Sequence, residues 1–98
     1  MAGQIRMTPE QMRTRSGEVS TQQSAFQEVV SRMQNIINEL QSEWEGAAAD
    51  SFAQQFEELR PSFRSMDDLL GDISTQLNQT AQAVEELDHE IASRFGVK

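Results

Sequence analysis

One spacing in this chain could do chemistry. Glu86 stands three residues before His89, the only histidine, and Glu85 and Glu90 flank the pair. In di-iron carboxylate bundles an E-x-x-H pair supplies two ligands from one helix, and those ligands point into the bundle core. Here the surrounding apolar residues set a heptad in which Glu86 takes position c and His89 position f. Both positions lie on the outer face, so the cluster reads as a solvated acidic surface. Serine and threonine are plentiful, but with no cysteine and one histidine a nucleophile has no base beside it. The five glycines are isolated, so no loop that could cradle a phosphate is present. The residues argue against an enzyme, and no catalytic, cofactor-binding or metal position is assigned.

The elements that carry these residues are two long helices. With Phe56 at position a, the a and d positions run Phe56, Leu59, Phe63, Met66, Leu70, Ile73, Leu77, Thr80, Val84, Leu87, Ile91 and Arg94. Ten of these twelve are apolar, which is a sustained coiled-coil-like seam. Pro61 falls at f, where the freed carbonyl of Glu57 can be hydrated, so a kink is expected there and not a break. Gly96 is placed to end the helix at C′. In the first half, Thr8, Pro9 and Gln11 form a capping box with proline at N1, and Met7 and Met12 occupy staple positions. Met12, Val19, Phe26, Met33 and Leu40 then recur every seven residues, with Val30, Ile37 and Trp44 four behind. The stretch 14–24 is weak in apolar residues. From Phe26 on, Val29 and Ile36 widen the stripe enough to face two neighbours.

The expected domain is a single helical hairpin over 1–98. Helix 1 covers about 8–43, a Trp-x-Gly turn 44–46, helix 2 about 47–95, and a short tail 96–98. A link that short forces the helices antiparallel. Two helices side by side cannot cover both the wide stripe and the seam, so a second copy is the simplest partner. The expected fold class is all-α, an antiparallel two-helix hairpin pairing as a homodimer into a four-helix bundle. Its core and dimer residues are Phe26, Val30, Met33, Ile37, Leu40, Phe56, Leu59, Phe63, Met66, Leu70, Ile73 and Leu77.

Composition narrows the partners. The chain has 98 residues, 37% of them apolar, and a net charge of −8. Residues 1–43 contribute −1 (four Arg, five Glu) and residues 44–98 contribute −7 (four basic, eleven acidic). Nucleic acid is excluded as a partner by that sign, and stable binding to an anionic bilayer is disfavoured at neutral pH. No apolar run reaches the length of a membrane span, and the start has no apolar h-region, so no Sec-type signal peptide is expected. A protein surface, basic or apolar, is the partner the charge favours.

Trp44, the only tryptophan, sits two residues before Gly46 at the one break between the helices. It can plug the hairpin end, with Gly46 freeing the turn, or stand out as an aromatic knob for a partner, or do both. A Trp-x-Gly turn (Trp44, Glu45, Gly46) at mid-chain in a cysteine-free two-helix protein of about a hundred residues resembles the WXG-100 family. These are the ESAT-like small substrates of type VII secretion. Members from monoderm bacteria carry a C-terminal hydrophobic-x-x-x-Asp-x-x-hydrophobic-x-x-x-hydrophobic pattern, and Val84, Asp88, Ile91 and Phe95 match it. The start "IRMTPEQMR" and the end "FGVK" are similar to the EsxA-type branch. With no tyrosine, the mycobacterial Tyr-x-x-x-Asp/Glu form is absent.

The resemblance implies export from a Gram-positive bacterium as a folded dimer without a cleaved signal peptide. The pair would be a homodimer or include a paralogous member, and an FtsK/SpoIIIE-type ATPase would recognise it. Val84, Asp88, Ile91 and Phe95 become the secretion-signal candidates, and Trp44 and Gly46 the turn motif. The chain would then be cytoplasmic before export and extracellular after it. Two other functions fit the same residues: an intracellular coiled-coil adaptor or chaperone for a co-secreted partner, and a membrane-active effector.

Overall fold

A computed structural model describes residues 7–44 and 46–96. Ile5, Arg6, Glu45, Val97 and Lys98, which enter the motifs above, lie outside the described residues. The described residues form two helices: α1, Pro9–Glu43, and α2, Ala47–Arg94. At the start of α1 the Thr8 side chain accepts from the Gln11 backbone N–H at 3.1 Å, and Gln11 accepts from the Thr8 N–H at 2.9 Å. This reciprocal box, with Pro9 in the first turn, satisfies two amides that would otherwise lack partners. The polar stretch 14–24 stays helical throughout.

Gly17 lies in that stretch, exposed, with nothing within 4 Å of where a Cβ would stand. Because an interior helical glycine costs about 0.5–1 kcal/mol relative to alanine, Gly17→Ala should raise the thermal midpoint by a few degrees in a circular-dichroism melt. An unchanged or lower midpoint would mean that α1 does not form part of the cooperative unit here.

α2 runs unbroken through the exposed Pro61. At its end the Phe95 N–H reaches the Ile91 carbonyl and the Gly96 N–H reaches Ser93, with Gly96 at φ 69°, the left-handed conformation that favours glycine. The helices lie antiparallel in a rod of 75 × 22 × 19 Å.

Packing divides the expected core and dimer residues between two faces. With Phe56 at a, the residues of α2 turned toward α1 come from rows a and e. Row a gives Phe56, Phe63, Leu70, Leu77 and Val84, and row e gives Ala53, Arg60, Asp67, Ser74 and Ala81, all buried or half-buried. Row d, which the apolar pattern places in the seam, faces out: Leu59, Met66 and Ile73 are 49%, 45% and 36% exposed. In α1, Ile37 is buried and Phe26, Val30 and Leu40 are half-buried, but Met33 is exposed and Gln34 turns inward in its place. Polar pairs cross the hairpin on this face. Gln34 meets Arg60, Gln23 and Gln27 meet Asp67, and Ser16 and Ser20 meet Ser74. Apolar patterning cannot register these contacts.

Candidate protein-interaction site

The turn is built from the end of α1 inward. Trp44 is the C-cap of α1, its N–H bonded to the Leu40 carbonyl at 2.9 Å. Its indole lies against Phe52, ring centroids 6.3 Å apart and planes at 51°. It still shows 48% of its surface to solvent. One face of the indole closes the turn and the other is open to solvent. Gly46, at φ 159° and ψ 168°, is the N-cap of α2 and gives it no side-chain cap. Phe52 is a partner the sequence pattern did not single out. It sits one heptad before Leu59, so extending the d row backward by seven residues would have found it.

The other end is set by the length of α2. Arg13 and Glu85 form an ion pair at 2.5 Å across the hairpin. The Arg13 hydrogen bond holds the Glu85 carboxyl below the usual carboxylate range. What it adds is complete above that range and fades as pH falls through the lowered value; with both groups exposed it is small. Toward the end of α2 Val84 is half-buried, Asp88 is exposed, and Ile91 and Phe95 are 45% and 79% exposed. Row e lines the seam as far as Ala81, but its next member, Asp88, faces solvent. Leu87, 55% exposed, adds to the same end. Trp44 and Val84 are forty residues apart on a helical path, about 60 Å at 1.5 Å per residue. One chain does not bring them together.

A third feature lies between the ends. With Met12 as position a of α1, Arg13 and Glu85 both belong to row b of their helices, and their ion pair places these stretches of the two b rows on one side of the rod. Row d is turned about 160° from row b. The d rows of both helices therefore share the opposite side: Val29 and Ile36 from α1; Phe52, Leu59, Met66 and Ile73 from α2. All six are exposed, and Met33 borders them. The side formed is a continuous apolar stripe. Glu86 and His89 are exposed on α2, and among the described residues no group of three or more His, Cys, Asp or Glu could hold a metal ion.

The family model described as proteins of 100 residues with WXG matches residues 4–89. Protein YukE of Bacillus subtilis is 43% identical over 95 residues, covering 97% of this chain and 98% of that protein. Type VII secretion system extracellular protein A of Staphylococcus aureus is 33% identical over 94 residues, 96% of this chain and 97% of that one. Among solved structures, EsxA of Geobacillus thermodenitrificans superposes with a TM-score of 0.84 at 40% identity, covering 94% of this chain and 99% of that chain. The secreted protein EsxB of Bacillus anthracis gives 0.78 at 27% identity, covering 90% and 99%.

Proposed function

The chain belongs to the WXG100 family, and from that premise we propose that it is a small substrate of type VII secretion. In this reading it leaves a Gram-positive bacterium as a folded pair of hairpins and acts through protein contacts, not catalysis. The observation that carries the reading is the end-to-end likeness to type VII secretion system extracellular protein A. No described helix is long and apolar enough to cross a membrane.

The apolar stripe supports the pairing. A compact monomer of this mass exposes about 5,700 Å², whereas this rod exposes 7720 Å². A second copy, or a paralogue with the same stripe, covers the d rows by adding two helices to make a four-helix bundle. The exposed ends then serve recognition. Trp44 at the turn, and Val84, Asp88, Ile91 and Phe95 on α2, are the residues we assign to the signal read by an FtsK/SpoIIIE-type ATPase.

Two measurements test this. Immunoblots of culture supernatant, against a cytosolic marker, should find the protein outside wild-type cells and only inside cells lacking the ATPase. Retention in wild-type cells at normal abundance would favour an intracellular adaptor and overturn the secretion reading. Sedimentation should give a species near twice 11.1 kDa; a folded monomer at micromolar concentration would overturn the pairing.

A further inference from the structure

We propose that three polar layers inside the hairpin decide which of the two apolar faces of α2 is used within the chain, and so which is left for a second copy. The second part rests on the pairing reading above; the first does not.

α2 has two ways to meet α1. Row a is apolar and enters the seam in both. Its companion can be row d (Leu59, Met66, Ile73) or row e (Arg60, Asp67, Ser74). The two arrangements differ by a rotation of α2 of about 50° about its axis. On apolar burial alone row d would win, since it offers three large aliphatic side chains against a guanidinium, a carboxylate and a hydroxyl. The structure takes row e.

The layers recur every seven residues on α2, at 60, 67 and 74, and α1 supplies a matched group to each. Ser16 and Ser74, 2% and 8% exposed, share a hydroxyl hydrogen bond at 2.8 Å. The opposite residue's backbone carbonyl stands within reach of each hydroxyl as an alternative acceptor for its single proton, at 2.8 and 3.1 Å, and Ser20 joins Ser74 at 2.8 Å. One heptad back along α2, Gln23 donates to the backbone carbonyl of Asp67 at 3.0 Å, and Gln27 donates to its carboxylate at 2.6 Å. Gly71 admits that contact, because a Cβ there would stand 3.2 Å from the Gln23 amide nitrogen. In the third layer the Arg60 guanidinium donates to the Gln34 side-chain oxygen.

Turning row d inward would break these bonds and leave Ser16 and Gln23 facing aliphatic side chains. A buried hydrogen bond contributes modestly when made, but leaving its groups unpaired in the interior is costly. The layers thus act against the alternative face more than they favour the native one, which is the best-attested use of polar groups in helical seams. They also explain why α1 carries a stretch almost without apolar residues at 14–24. With row e committed to α1, row d is left outward for the second copy.

The chain contains no cysteine, so two introduced thiols report without interference. Ser16→Cys with Ser74→Cys should form a within-chain disulfide readily in a glutathione redox buffer, since the native hydroxyls are 2.8 Å apart. The same pair is then placed in a chain with Gln23→Leu, Gln34→Leu, Arg60→Leu and Asp67→Leu, which removes all three layers. With the two faces made comparable, the effective concentration of the thiols should fall two-fold or more while helicity is retained. Undiminished crosslinking would overturn the proposal. Loss of helicity would also overturn it, because the layers would then be needed for folding and not for the choice of face. Sedimentation of the reporter chain reads pairing separately. A crosslinked monomer would overturn the pairing reading and leave the choice of face supported.

Discussion

Ile37→Asp is expected to unfold the protein at neutral pH, while Ile36→Asp, one residue earlier, leaves the hairpin folded. The residues are chemically alike and differ in where they point: Ile37 is 8% exposed in the seam and Ile36 is 49% exposed on the apolar stripe. Position 37 lies in an apolar part of the seam, and burying an ionised carboxylate there costs several kcal/mol. Whole domains are stable by about 5–15 kcal/mol, and a two-helix rod with so small a buried core belongs at the low end. The circular-dichroism melt of the first variant should therefore lose its cooperative transition. Ile36→Asp should keep it within about 1 kcal/mol at the level of one chain and instead shift sedimentation toward the monomer. Equal behaviour of the two variants, in either direction, would mean that the assignment of inner and outer faces is wrong.

The second large effect is on export. Trp44→Ala and Asp88→Ala should each abolish secretion with cellular level, helicity and dimer mass nearly unchanged. Asp88 is exposed, Trp44 is half-exposed at the turn, and neither holds the seam together, so substitution there is expected largely to spare stability. Because they lie about 60 Å apart along one rod, a single recognition surface that needs both has to be composed from two chains. In an antiparallel pair the turn of one hairpin lies beside the α2 end of the other. Trp44 of one chain then stands near Val84, Asp88, Ile91 and Phe95 of the second. Mixed pairs, one chain with Trp44→Ala and the other with Asp88→Ala, retain one complete site and should be exported partially. Wild-type secretion of both single variants would dismiss the signal. No export of the mixed pair would show that one composite site is insufficient or that the motifs act separately.

How much of this was legible in the sequence depended on whether a residue's role is local. The α1 cap was, because Thr8, Pro9 and Gln11 act on backbone groups within three residues. The left-handed end at Gly96 and the passage of α2 through Pro61 were legible for the same reason. Row a was legible because a large apolar residue every seven positions has few alternatives. Row e was not. Arg60, Asp67 and Ser74 look like surface residues on their own helix, and their burial makes sense only beside Gln34, Gln23 and Ser16, 26 to 58 positions away. The a and d pattern of one helix does not say which of its rows meets the other helix of the hairpin. At the candidate site, the half-closed state of Trp44 depended on Phe52, which lies across the turn and ahead of the point where the heptads begin to repeat cleanly.

The rod's girth has a consequence for passage. Any conduit that carries the hairpin intact must admit two helices side by side, about 20 Å across in the longer dimension, and one that carries two hairpins must open wider still. A lone helix needs only about 10–12 Å. An aperture between those widths would have to pull α1 away from α2, taking Ser16 from Ser74 and Gln23 from Asp67 and leaving those groups to water. The bore of the conduit therefore decides whether the choice of face made inside the cell survives to the outside or is made again there.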